Sequence, residues 1–508
     1  MNPYRGTNII QSEKRCIEND NLEQDLLIMK INTNIHSINT QKSLNRNDKN
    51  LDTPLERLSS AKRINSAKDD AAGLAIVARM AAQISGTNTS IRNLNDGISL
   101  AQTADGALSQ ASEMLHRIRD IAVQSANATN SPADRKALQE EVGQLTSELN
   151  RIAGTAEFNG KKLLDGSFSS ALFQAGANPG QTITATSGNF STNQYGDYRV
   201  EGEGTTVAAG DRIATAGSID ISGSTGTATV NYNAGDSAKN IAAAINNTSE
   251  NTGVAASAET QVELQFSASG SYNLNIAADD GIAKNVSFNI DATNGVEALS
   301  QVATAFNEHT ASTGVVASIN DSGTGIVLNH YNGETINVSD TNTANAGNVT
   351  VSSGITNQTL TADAIADSAV ATGKVTFDSA DSFVTQGTAG DITSNASEAA
   401  QLLEIAELDV STVDMSNKAL AMVDAAISSI SSQRANYGAL QSKFESSIRH
   451  SENYSVNLSA SRSRIEDTDY AKETADLARM MILKDAGTAM LGQANMVPHF
   501  AMGLLNGK

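Results

Sequence analysis

Glu113–Asn127 reads EMLHRIRDIAVQSAN, and the periodicity running through this stretch decides how the chain is built. Leu94, Ala101, Leu108, Leu115 and Ala122 recur every seven residues, with Ile91, Ile98, Ile118 and Ile121 beside them. That spacing lays one apolar stripe along a helix. Arg117, Arg119, Asp120 and Gln124 project from the other side, which suits a coiled-coil-like helix with partners on two faces. A distant segment must cover the stripe, and the chain holds a candidate. Between Glu398 and Ile448, Val413, Leu420 and Ile427 share one seven-residue register, while Val423, Ile430, Tyr437 and Phe444 share another. Helices this long, built on small core residues, need a neighbouring helix along their length. The expected fold is therefore multidomain. An all-α helical hairpin draws its two arms from opposite ends of the chain, and a β-rich, α+β middle lies between them.

Composition agrees with close packing of small side chains. Aromatic residues make up 4% of the 508 residues and Trp is absent, so large rigid core anchors are scarce. Five prolines leave room for long uninterrupted helices. The net charge of −21 is concentrated in the middle: Ala177–Asn395 holds five basic residues against 22 acidic ones. A region so acidic argues against nucleic-acid binding and for a solvated exterior. With Cys16 as the single cysteine, no intrachain disulfide can form, and stability rests on packing. Neither a long apolar run nor a basic segment followed by an apolar one is present, so neither membrane insertion nor a Sec-type signal is expected.

In chain order, residues 1–28 lack a clear period and read as an atypical N-terminal extension, with the helical pattern starting at Met29. Leu44, Leu51 and Leu58 then fall seven apart. Ser, Asn, Asp and Gly mixed into Leu55–Ile76 predict a break between about Ser60 and Ala71, before a main helix that runs to about Ala128. Ser131 as N-cap and Pro132 at the first helical position start the next helix, which carries Leu138, Val142, Leu145 and Leu149. Near the C-terminus, Leu477, Met481, Ile482 and Leu491 supply apolar area, and small residues such as Ala486, Gly487 and Gly492 permit close approach. One hairpin cannot cover so much apolar surface, which implies either marginal order in the monomer or burial in an assembly.

The middle contains short alternating runs such as VELQF (Val262–Phe266) and an internal repeat. Asn240–Ala258 parallels Gln301–Ile319 at an offset of 61, with Ile241 over Val302, Ile245 over Phe306, Asn246 over Asn307 and Thr252-Gly253-Val254 over Thr313-Gly314-Val315. Two related α+β modules, at about 215–280 and 282–340, are expected side by side, each burying one helix face on one small sheet. No catalytic, cofactor-binding or metal site emerges. The six histidines are scattered without HExxH or a Cys/His cluster, and His309 and His330 read as unrelated surface residues.

Six ordered motifs resemble bacterial flagellin: SSAKRINSAKDDAAGLAI (Ser59–Ile76), LHRIRDIAVQSAN (Leu115–Asn127), FNGKKLLDG (Phe158–Gly166), ALQSKFESSI (Ala439–Ile448), SRSRIEDTDYAKE (Ser461–Glu473) and AGTAMLGQAN (Ala486–Asn495). The resemblance implies helical cores at 29–176 and 397–508, an outward variable region at 177–396, and a non-enzymatic subunit of the extracellular flagellar filament, exported by the flagellar apparatus. It further implies self-assembly, an export chaperone, cap and hook-junction proteins, and a host Toll-like receptor as partners. Terminal-core packing then falls to Leu44, Leu51, Leu58, Leu477, Met481, Ile482 and Leu491. Leu115, Arg117, Ile118, Ile121, Gln124 and Glu141 take subunit packing and receptor recognition. On that assignment Arg117→Ala and Ile121→Ala both weaken assembly and spare the monomer. A hook–filament junction protein has similar ends and is the alternative; a surface adhesin is a more distant one. Deleting Asn178–Ser394 is expected to narrow the filament while preserving polymerisation, as electron microscopy of the purified deletion would establish.

Overall fold

A computed structural model describes residues 33–202, 206–208, 216–279, 281–320, 322–353, 356–387 and 397–505. The extension expected at 1–28, and Met29 itself, lie outside the described residues. Two compact units divide the chain, one comprising 33–94, 174–182 and 445–505 of the described residues, the other 95–173 and 183–444.

Local chemistry sets the helix ends. Helix α1 (Ile35–Ser60) begins where Asn34 Oδ1 accepts the Ser37 N–H at 3.0 Å. The break expected near Ser60 is a loop folded around Asp69, whose Oδ2 accepts the backbone N–H groups of Asn65 and Ser66 and the Ser66 hydroxyl. These donors hold the Asp69 carboxyl below its ordinary pKa. Helix α2 then spans Ala71–Ser125. Ser131 and Asp134 form a reciprocal capping box for α3 (Pro132–Thr155), with proline in the first turn as the sequence predicts. Two α-helix pairs follow in the middle, α4 (Ala238–Asn246) with α5 (Ser249–Thr252) and α6 (Val296–Asn307) with α7 (Thr310–Thr313). The chain closes with α8 (Val413–Glu466) and α9 (Tyr470–Leu505).

In the first unit α1 and α9 run antiparallel, and polar contacts fix their register. Asn34 Nδ2 donates to the Ala494 carbonyl at 2.8 Å, Lys484 pairs with Asp48 at 3.1 Å, and Arg57 pairs with Glu473 at 3.0 Å. Where α1 gives way to the loop, Lys62 pairs with Glu466. Leu44, Leu51, Leu58, Leu477 and Leu491 are half-buried along this pair.

In the second unit the heptad stripe of α2 is sealed. Ala101, Leu108, Leu115 and Ala122 are fully buried, and α8 meets them with Val423, Ile430 and Tyr437, each at most 1% exposed. Of the two registers on α8, the one through Val423 is therefore central, while Leu420 and Ile427 pack at its margin. Val142 and Leu149 close the core from α3. Each fully buried Leu or Ile contributes roughly 1.5–3 kcal/mol relative to exposure.

Three larger sheets make up the strand-rich region. The four-stranded sheet orders Ser397–Ala399, Val384–Gly387, Gly217–Ser222 and Thr227–Tyr232, and the five-stranded one orders Lys284–Ile290, Gly270–Ala278, Ile336–Asp340, Ser368–Ala371 and Thr206–Ala208. The eight-stranded sheet is organised on the 12-residue strand Ala255–Phe266, which pairs with Ile326–His330, Val349–Ser353 and Lys374–Ser379.

The repeat is visible as matching hydrogen bonds. Asn246 both accepts from the Ala256 N–H and donates to its carbonyl, each at 2.8 Å, and Asn307 does the same to Ala317 at 2.7 and 2.9 Å. Thr252 and Thr313 each accept the N–H two residues on, from Val254 and Val315, at 3.3 Å. Gly253 and Gly314 between them adopt φ of 74° and 70°, a left-handed turn that glycine enters at least cost. The expectation of one helix on one small sheet is corrected, however. Each copy's hairpin and its closing strand belong to different sheets: Gly217–Ser222 with Thr227–Tyr232 lie in the four-stranded sheet, Gly270–Ala278 with Lys284–Ile290 in the five-stranded one, and both closing strands in the eight-stranded sheet. Helices α4 and α6 are consequently wedged between sheets, with Ile241 and Ile245 in one apolar cluster and Leu299, Val302 and Phe306 in another. The long strand Ala255–Phe266 runs past its own copy of the repeat, and its length offers backbone groups that three further strands pair. Asn246→Ala and Asn307→Ala should each destabilise the strand-rich region by ~1–2 kcal/mol through two lost backbone hydrogen bonds, and chemical denaturation should find the two costs alike.

Candidate assembly surface

The helical period splits the residues of Glu113–Asn127 into two groups. Leu115 and Ile118 are 0% exposed and Ile121 is 1% exposed, all within the core shared with α3 and α8. Arg117 and Gln124 face outward. The expectation that Ile121→Ala spares the monomer is therefore corrected: its side chain lies inside the single chain's own core.

Arg117 and Glu141 meet across α2 and α3. Arg117 Nη2 and Nε donate to Glu141 Oε1 at 2.7 and 3.0 Å. Their side chains remain 58% and 42% exposed, so the pair is worth about 0–1 kcal/mol to the fold and stays open to a partner. On the neighbouring side Arg119 donates to both Asp424 oxygens, at 2.7 and 3.3 Å, joining α2 to α8. Arg434 pairs with Asp105 between the same two helices at 2.9 Å. Neither cross-pair was legible in sequence, since Arg119 and Asp424 are 305 residues apart and only the tertiary register brings them together.

The base of this surface is fastened by buried polar groups. Ser125 Oγ donates to the Val410 carbonyl at 2.6 Å, while Gln139 accepts the Val410 N–H at 2.7 Å and donates to the Leu408 carbonyl at 2.9 Å. The connection into α8 is thus tied to the corner between α2 and α3.

Helix α9 presents the most exposed apolar side chains of the terminal pair. Ile482 is 68% exposed, Met490 62% and Met481 53%, while Leu44 and Leu491 are half-buried. Among the described residues no helix is long and apolar enough to cross a membrane. His330 is not the surface residue expected. It is 4% exposed, and its Nδ1 accepts the Glu334 N–H at 3.3 Å.

Helices from both chain ends, joined through a strand-rich insertion and leaving apolar surface on the terminal helix, define a structural subunit of a self-assembling polymer. The chain belongs to the bacterial flagellin family, the subunits of the extracellular flagellar filament. Residues 31–169 match the bacterial flagellin N-terminal helical region, 420–505 the C-terminal helical region and 218–270 the flagellin hook IN motif. B-type flagellin of Pseudomonas aeruginosa is 40% identical over 497 residues, covering 94% of this chain and 100% of that protein. Polar flagellin C of Vibrio parahaemolyticus is 32% identical over 476 residues, covering 94% and 99%.

The split between inward and outward residues gives unlike outcomes for two substitutions. Ile121→Ala should cost the isolated monomer ~2–5 kcal/mol by opening a cavity, whereas Arg117→Ala should cost no more than ~1 kcal/mol. Thermal melting of monomeric protein would measure both.

Proposed function

We propose that this chain is exported by the flagellar apparatus and polymerises head-to-tail through two surfaces: the exposed apolar side of α9 with α1, and the outward side of α2 and α3 around Arg117, Gln124 and Glu141. Leu115, Ile118 and Ile121 hold the second surface in shape from beneath. The observation that carries this reading is the exposure of Met481, Ile482, Leu483, Met490 and Met496 on a helix whose packing partner is α1. Apolar area of that extent is stabilised by a further copy of the chain, and a heterologous contact whose rotation does not close generates a helical filament.

In this reading Leu44, Leu51, Leu58, Leu477 and Leu491 build the α1–α9 pair, and Met481 and Ile482 meet neighbouring subunits. Residues 29–176 and 397–508 form the filament core, and the acidic 177–396 region faces solvent. The role is structural rather than catalytic. An export chaperone and the cap and hook-junction proteins contact the same terminal helices before or at the ends of assembly. A host Toll-like receptor reads Arg117 and Glu141 on free monomer.

Removal of Glu473–Lys508 tests the first surface. The truncated chain should keep the helical signal of its remaining core and fail to extend seed fragments under electron microscopy. Normal filaments from it would refute the assignment of α9.

A further inference from the structure

One face of the eight-stranded sheet carries a cluster of charged side chains. Along Gly196–Glu201, Tyr198 and Val200 point into the apolar cluster with Val375 and Phe377, so Asp197, Arg199 and Glu201 share the opposite face. Asp378 stands opposite Arg199 in register, and Lys374 opposite Glu259. The first turns of α8 cover this face, leaving a cleft of about 520 Å³ that Asp414, Lys418 and Tyr331 also line. Lys418 Nζ reaches Glu201 Oε1 at 3.0 Å.

Arg199 is 8% exposed and is shared among three carboxylates: Asp378 at 2.6 Å, Asp197 at 3.3 Å and Glu201 at 3.7 Å. Asp197 is 0% exposed, and neither of its side-chain oxygens has a hydrogen bond of ordinary geometry. Arg199 and Asp378 are the charged groups that act on Asp197, and the cleft beside them is lined further by the cations Lys374 and Lys418 and the acids Glu201, Glu259 and Asp414. Asp197 thus shares Arg199 with Asp378, which holds it more closely, and with Glu201, and leaving Asp197 ionised in so buried a place is costly.

We propose that this face is a proton-held joint: a proton on Asp197, beside the Asp378 carboxylate, leaves Arg199 free to hold Asp378 and Glu201, and through Glu201 and Lys418 it keeps the first turns of α8 docked on the sheet. Burial first, and the negative charge of Asp378 second, push the Asp197 carboxyl up to about 8, against the pull of Arg199. Burial likewise raises Glu259. Glu201 moves the other way, since Lys418 holds it low against the effect of its own burial. The sign follows. With the docked-state pKa of Asp197 above its value in an opened joint, docking weakens as pH rises from the mildly acidic range toward about 8 and changes little beyond it, while in stronger acid protonation of the low-held Glu201 removes its pair with Lys418.

Hydrogen exchange on the full-length monomer, corrected for intrinsic base catalysis, reads the opening directly. Between about pH 5 and about pH 8, the opening constant of peptides from 196–201, 374–379 and 413–421 should rise by up to roughly tenfold per pH unit and then level off. Peptides from the buried stripe of α2 should stay flat. Asp197→Asn, which fixes a neutral side chain of the same shape, should flatten most of the rise, leaving the part due to Glu259. Asp378→Asn should bring the levelling point to lower pH, which keeps the test decisive if the Asp197 variant does not fold. A carboxylic-acid infrared band present at neutral pH and lost by about pH 10 should accompany the rise in the natural chain. No pH-dependent opening in the natural chain, an undiminished rise in folded Asp197→Asn, or an unchanged levelling point in Asp378→Asn would each overturn the joint.

Discussion

The helices of the larger unit depend on one act of burial: the stripe through Ala101, Leu108, Leu115 and Ala122 closing against Val423, Ile430 and Tyr437. These residues lie some three hundred positions apart, so closure carries a loop-entropy cost that local helix propensity cannot offset. The small residues are what make closure worthwhile. Ala101, Ala104 and Ala122 on one side and Ala419 and Ala426 on the other let the backbones approach, so a chain without Trp still buries Leu108 and Leu115 completely.

Once that seam is closed, the outward residues inherit fixed positions. Arg117 and Glu141 are poised on adjacent helices because Leu115, Ile118, Val142 and Leu149 pack beneath them, and the corner that sets the α2–α3 angle is held by Gln139 and Ser125 gripping the chain at Leu408 and Val410. The exposed ion pair adds little stability. In the proposed packing it would present a charge pair in constant geometry, while the apolar surface of α9 would supply area that binding can desolvate. Where the core is apolar and the contact surface mixed, the docking of α8 on the eight-stranded sheet is ionic, centred on Arg199. Two parts of one chain are thus held by different physics and respond differently to pH and salt.

The sequence by itself determined what depends on neighbours close in the chain. Heptad spacing fixed which faces of α2 and α8 are buried, the Ser131-Pro132-Asp134 signal fixed the start of α3, and the offset of 61 fixed that Asn246 and Asn307 do the same work. Six matching motifs at the two ends also sufficed to recognise the flagellin family. Tertiary structure alone decided which long-range partners meet: Arg119 with Asp424, the division of each repeat's hairpin and closing strand between sheets, the burial of His330, and the sharing of Arg199 among Asp197, Glu201 and Asp378. The reason is the same in each case. A residue's period along the backbone tells which way its side chain points, but strand register and helix docking, set by the whole core at once, tell what it points at.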